Sequence, residues 1–178
     1  MATAARLFSQ RGFHSTSVSD IVDELGVGKG VFYWYFPSKD ELFIEILRAA
    51  HQELRRRQRA ALGDEPDPVR RIELGIRATM QWFHEQRTSF TLIQFARTDD
   101  RFADILRQNQ DVAIADAVLH IKDGIVEGSI TDQVPEVLAE AVVGVTERLA
   151  RAYLVERDDP VTEVADAAVA FCLTGLRG

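Results

Sequence analysis

The stretch from Ser17 to Lys39 reads SVSDIVDELGVGKGVFYWYFPSK, and its spacing decides the fold. Val18, Ile21, Val22 and Leu25 recur at three- and four-residue intervals, which puts one apolar face on a two-turn helix and leaves Asp20, Asp23 and Glu24 outside. Gly26 follows the last periodic residue and supplies the left-handed backbone that turns a chain. Val27 is expected to tuck under the corner before a second helix starts near Gly28. Helix, short turn, helix is the geometry in which the second helix enters the major groove of DNA with its back on the core, here Val27, Phe32 and Phe36. Gly28, Lys29, Gly30, Val31, Tyr33 and Trp34 are then the candidate readers of base edges, and Tyr35 and Lys39 the candidate phosphate contacts.

A plain helical hairpin accounts for Phe32 and Phe36 as core. It gives no reason for two tyrosines and a tryptophan beside two glycines and a lysine, because each glycine weakens a helix by about 1 kcal/mol relative to alanine. Gly28 and Gly30 make sense where a backbone must approach something closely.

The longer run AARLFSQRGFHSTSVSDIVDELGVGKGVFYWYFPSKDELF, from Ala4 to Phe43, resembles the DNA-binding domain of the TetR family of bacterial transcriptional repressors. The likeness covers the tail of the first helix, the Leu25-Gly26-Val27 corner, the Tyr33-x-Tyr35-Phe36 signature and the Ser38-Lys39-x-Glu41-Leu42 start of the fourth helix. It implies that Ser17 and Ser19 contact phosphates or base edges, that Lys29, Gly30, Val31, Tyr33 and Trp34 read or line the groove, and that Tyr35 and Lys39 clamp the backbone. Position 28 is often serine or threonine in that family and is glycine here, which removes a polar contact. The sequence starts inside the first helix of the family's pattern.

The net charge of -7 is unevenly divided. Residues 1–59 hold nine Lys and Arg against seven Asp and Glu, a balance of +2, so the remainder carries -9. The acid lies away from the segment that must meet phosphates. Arg55, Arg56, Arg57 and Arg59 are read as a solvated helix end, favoured by the negative pole of the helix dipole.

Further helices follow from their caps. Ser38 and Glu41 form a capping box for a fourth helix whose stripe of Leu42, Phe43, Ile46, Leu47, Ala50 and Leu54 runs toward Gly63-Asp64-Glu65-Pro66-Asp67. Asp67-Pro68 opens a helix to about Gln86, another runs from about Ser89 to Thr98, and Asp99 or Asp100 caps a long one ending near Gly124 or Gly128. Pro135 and Asp159-Pro160 open the last two, which end near Val155 and Gly175. No segment alternates like a strand, so the fold is expected to be all-α. An N-terminal three-helix helix-turn-helix domain, residues 1–43, would precede a helical effector-binding and dimerisation domain, residues 44–178.

The last two helices, Glu140 to Leu154 and Val164 to Leu176, are apolar over most of their circumference and need cover all round. A second copy is the expected cover. It would give a homodimer with a four-helix bundle across a two-fold axis and two recognition helices one DNA turn apart; the resemblance implies the same.

The middle helices carry inward stripes expected to hold a small, hydrophobic effector. Its candidate contacts are Thr79, Met80, Phe83, Phe90, Gln94, Ile105 and Asn109, the last an amide on an otherwise apolar face, with His120 and Thr146 added as isolated polar residues. Family members commonly bind effectors between these helices. No catalytic residue, metal or cofactor is expected: His14, His51, His84 and His120 are dispersed, no phosphate loop or nucleophile elbow occurs, and Cys172 lies in an apolar helix. With no leader pattern and no apolar run of about 18 residues, the expected location is the cytoplasm. The expected partners are an operator in double-stranded DNA, a small molecule and a second copy, with no membrane. The alternative is a helical protein that binds a ligand or partner and whose DNA domain no longer works.

Overall fold

The computed structural model describes all residues, Met1–Gly178. It contains nine α-helices and no strand: α1 Ala2–Arg11, α2 Val18–Leu25, α3 Lys29–Tyr35, α4 Lys39–Leu62, α5 Pro68–Glu85, α6 Arg87–Ala96, α7 Ala103–Val126, α8 Pro135–Leu149 and α9 Val161–Arg177. A 3₁₀ turn, Asp100–Phe102, leads into α7, and a π-helical stretch, Ala150–Val155, prolongs α8. No helix is long and apolar enough to cross a membrane.

Two compact units form. The first comprises residues 1–52 and 87–108, the second residues 53–86 and 109–178. A single cut after residue 43 therefore does not describe the division, because α6 and the start of α7 belong with α1, α2 and α3. The cause is an aromatic core. Phe43 packs at ring-centroid distances of 5.0 Å from Phe13, 4.5 Å from Phe102 and 5.7 Å from Phe95. Leu7, Phe8, Ile21, Leu42, Leu47, Leu92 and Ile105 close around these rings. A helix stripe read from sequence says which face is buried but not which partner buries it.

In the second unit, the last turns of α4 and the body of α7 join α5, α8 and α9. Asp67 caps α5 by accepting from the backbone N–H groups of Val69 (2.8 Å) and Arg70. Ile72, Ile76, Met80, Trp82 and Phe83 from α5 are buried, as are Val164, Ala165, Ala168, Val169 and Cys172 from α9. Burial pushes the Cys172 thiol up to about 11, so it stays protonated and packed. Gly124 is a packing residue rather than a helix end: a Cβ there would lie 2.5 Å from Cδ1 of Ile130. The chain leaves α7 at Gly128, which has φ +74.

Candidate nucleic-acid interface and internal cavity

The corner between α2 and α3 is built by local chemistry. Ser17 accepts from the Asp20 N–H at 3.1 Å while its own N–H donates to the Asp20 carboxylate at 2.7 Å, a reciprocal capping box. The Ser17 hydroxyl, which donates to the same carboxylate at 2.5 Å, and then the Ser17 N–H hold the Asp20 carboxyl below its ordinary range. Gly26, at φ 67 and ψ 30, makes the left-handed C-cap, with its N–H bonded back into α2. α3 then starts from an extended Gly28.

Of the aromatic run, Phe32 is buried and Phe36 half-buried, as the groove geometry demands of a helix back. The front is bare. Trp34 is 84% exposed, Tyr35 70% and Tyr33 55%, with Lys29, Gly30 and Val31 exposed beside them. A Cβ at Gly28 or Gly30 would meet nothing within 4 Å, so nothing inside the chain requires glycine there. Val27 departs from expectation: it is 38% exposed and Leu25 49%, so the corner presents apolar surface outward instead of tucking it under. Phe32, with the half-buried Phe36, is what α3 contributes to the core instead.

Three expected phosphate contacts are otherwise engaged or placed. Lys39 Nζ donates to the backbone carbonyls of Phe13 (2.8 Å) and Thr16 (2.9 Å) and lies 4.2 Å from the centre of the Phe13 ring. Burial lowers its pKa. The ammonium thus fastens the loop between α1 and α2 with two of its three donors, which leaves it one donor for the expected phosphate contact. Ser17 is committed to its capping box. Ser19, in the first turn of α2, is half-buried.

The second unit contains a partly open cavity of about 280 Å³. Four of the expected effector contacts line it: Thr79, Phe83, His120 and Thr146. Five do not. Phe90 and Ile105 are buried and Gln94 half-buried in the first unit, Met80 is fully buried in the packing of α5, and Asn109 lies outside the lining. Sequence reading passed over Arg55, Gln58 and Asp116, which line the cavity with Leu54, Ile76 and Val142. Arg55 is bonded to Asp116 through Nε (3.0 Å) and Nη2 (3.1 Å), and Gln58 Nε2 donates to Thr79 Oγ1 at 2.9 Å. Partners 61 residues apart leave no periodic trace.

A buried Phe32 behind α3, an aromatic and cationic front, and an αL corner at Gly26 define a helix-turn-helix regulator that binds DNA. Residues 1–46 match the family model of bacterial regulatory proteins, tetR family. The chain is similar to transcriptional regulators of the TetR family. It is 26% identical over 185 residues to the uncharacterized HTH-type transcriptional regulator YdgC of Bacillus subtilis, spanning 99% of this chain and 90% of that one. It is 36% identical over 70 residues to the HTH-type transcriptional repressor KstR2 of Mycobacterium tuberculosis, 39% of this chain and 35% of that one. The crystal structure of the TetR family transcriptional regulator PfmR from Thermus thermophilus has a TM-score of 0.79 at 25% identity, covering 98% of this chain and 96% of that one. These relatives are transcriptional regulators.

Proposed function

We propose that this chain is a ligand-responsive repressor that binds a palindromic operator as a homodimer and is released by a small, mostly apolar effector. The observation that carries the reading is the bare front of α3, where Lys29, Tyr33 and Trp34 stand exposed opposite the buried Phe32. Burying that much aromatic surface on a partner is favourable, and a partner that also needs a cation and close backbone approach at Gly28 and Gly30 is a nucleic-acid groove. Lys29, Gly30, Val31, Tyr33 and Trp34 read or line the groove, and Tyr35 meets the backbone. Repression is supported by the name of one relative, the KstR2 repressor.

Dimerisation through α8 and α9 is supported by what those helices leave uncovered. Val137 (62% exposed), Ala141 and Gly144 form one exposed stripe on α8, and Ala167, Ala170 and Phe171 (69% exposed) form another on α9. Small residues beside one large ring suit close helix approach across a two-fold axis. The effector occupies the cavity around Thr79, Phe83, His120 and Thr146. α4 is one unbroken helix from Lys39 to Leu62 and carries residues of both units, so a ligand touching Leu54 and Gln58 acts on the element that also holds the first unit's core. Release then requires that the ligand bind the DNA-fitting state less well than the free state.

The test is a gel shift of the purified protein on DNA from upstream of its own gene, with unrelated duplex as competitor. A retarded band that survives competitor is expected. No binding at low salt would leave a helical ligand-binding protein with an idle DNA domain.

A further inference from the structure

The side chains of α3 limit which base edges it can read, taking as given the reading above that this helix enters the major groove. The pairings that tell bases apart there run from Arg or Lys to guanine, from Asn or Gln to adenine, from Asp or Glu to cytosine, and from apolar groups to the thymine methyl, with Ser and Thr serving either way. α3 reads KGVFYWY. Lys29 belongs to the first of these classes, and no residue of α3 belongs to the second or third. The rest of its exposed surface is Gly30, Val31 and the rings of Tyr33, Trp34 and Tyr35. The apolar character continues upstream, where Leu25 and Val27 are exposed at the corner.

Position along the helix singles out Val31. At about 3.6 residues per turn, Gly30 and Trp34 stand nearly opposite the buried Phe32, while Lys29 and Tyr33 lie on one flank and Val31 and Tyr35 on the other. Trp34 is bulky and sits one turn beyond Gly30, so the first turn of α3 is the part that can go deepest. A Cβ built on Gly30 meets nothing within 4 Å, so the glycine leaves bare backbone free to lie against base edges. Close approach is what a valine requires, because its methyl groups end one bond beyond Cβ. Val31 is 48% exposed and its side chain has no polar atom. The apolar group that a base pair presents in the major groove is the thymine C5-methyl.

We propose that Val31 reads a thymine in each half-site of the operator through that methyl group, with Lys29 making its contact from the opposite flank. Removing the methyl leaves every hydrogen bond of the base pair in place, so apolar contact alone carries the specificity at this position. Burying one methyl group is worth about fourfold in affinity, which gives about 15-fold across the two half-sites of a dimer.

The test uses DNA from upstream of the chain's own gene, amplified once with dTTP and once with dUTP. Fluorescence anisotropy gives the affinity of the purified full chain for each form, with unrelated duplex as competitor. Wild type is expected to hold the thymine form about 15-fold tighter. Val31→Ala shortens an exposed side chain, so it should fold. It should lose affinity for the thymine form and little for the uracil form, which shrinks the ratio to about fourfold or less. Val31→Thr keeps a methyl group at the same place and should keep most of the preference. Any effect of uracil on the stiffness of the duplex is common to all three proteins and cancels in the comparison. Equal wild-type affinity for the two forms, or a preference unchanged in Val31→Ala, overturns the inference and leaves α3 as the DNA-reading helix. Absence of competitor-resistant binding to the thymine form overturns that DNA reading, and the inference with it.

Discussion

Lys39 Nζ lies 2.8 Å from the carbonyl oxygen of Phe13 and 4.2 Å from the centre of the same residue's ring, so one ammonium is held by both the backbone and the π-face of a single residue. With the Thr16 carbonyl as a second acceptor, two of its three donors are committed inside the domain. Lys39→Met should therefore act on stability, by about 1–3 kcal/mol for charge-assisted bonds whose carbonyl partners lose their donor. Urea denaturation followed by helicity measures this directly. A phosphate role makes the opposite forecast: an unchanged urea midpoint and a salt dependence of DNA binding flatter by about one log–log unit.

The front of α3 behaves as the counterpart. Lys29 and Tyr33 are exposed one turn apart, so neither side chain contributes much to folding. Lys29→Ala and Tyr33→Ala should each weaken specific binding by about 1–3 kcal/mol, the usual worth of a base-edge contact, at unaltered melting temperature. Fluorescence anisotropy on the upstream DNA fragment reads the affinity. Two variants with wild-type affinity would remove α3 from the groove.

How much of this was legible in the sequence depends on distance along the chain. The α2 corner needs only local information: Ser17 reaches Asp20, and Gly26 adopts the backbone that other residues avoid, so periodicity and caps located both helices closely. The helix boundaries from Pro68 to Val126 were readable for the same reason. What failed was assignment across helices. Phe90 and Ile105 lie on inward stripes, as read, but Ile105 packs in the first unit's core with Phe13, Phe43 and Phe102, and Phe90 is buried in the same unit outside the cavity lining. Asn109 looked like a ligand contact because it interrupts an apolar stripe, and a stripe cannot say whether its interruption faces a cavity or an edge. His120 and Thr146, seen only as isolated polar residues, are in the lining. Val27 misled because hydrophobicity alone does not reveal that Phe32, with Phe36, is what α3 contributes to the core instead.

The capping box should give the first unit a measurable acid sensitivity. Bonds from the Ser17 side chain and backbone lower the pKa of Asp20 from 3.8. For a carboxyl whose folded-state value is depressed, the stabilisation is complete above its unfolded value and is lost as pH falls through the folded one. Wild type should accordingly exceed Asp20→Ala in stability at neutral pH, with the gap closing as pH drops well beneath 3.8. Denaturation midpoints of the two proteins across that range test it. A gap independent of pH would mean that the carboxylate's charge plays no part in the cap.

Phe171 is the residue on which the proposed assembly can be tested. It is 69% exposed on α9, on the face that also carries Ala167 and Ala170, and across from it in the proposed bundle stand Val137, Ala141 and Gly144 of a second copy's α8 and of this one's own. Because the ring packs on little within the chain, Phe171→Glu should fold with undiminished helicity. Four carboxylates brought toward a two-fold axis, counting Glu140 with the new Glu in each copy, would oppose association. Sedimentation at micromolar concentration should show a dimer for wild type and a monomer for the variant. Operator affinity should fall with it, by about 100-fold or more, since each recognition helix then binds without the other's effective concentration. A monomeric wild type that still binds the upstream DNA tightly would dissociate DNA reading from dimerisation, and a variant that remains dimeric would move the interface off α9.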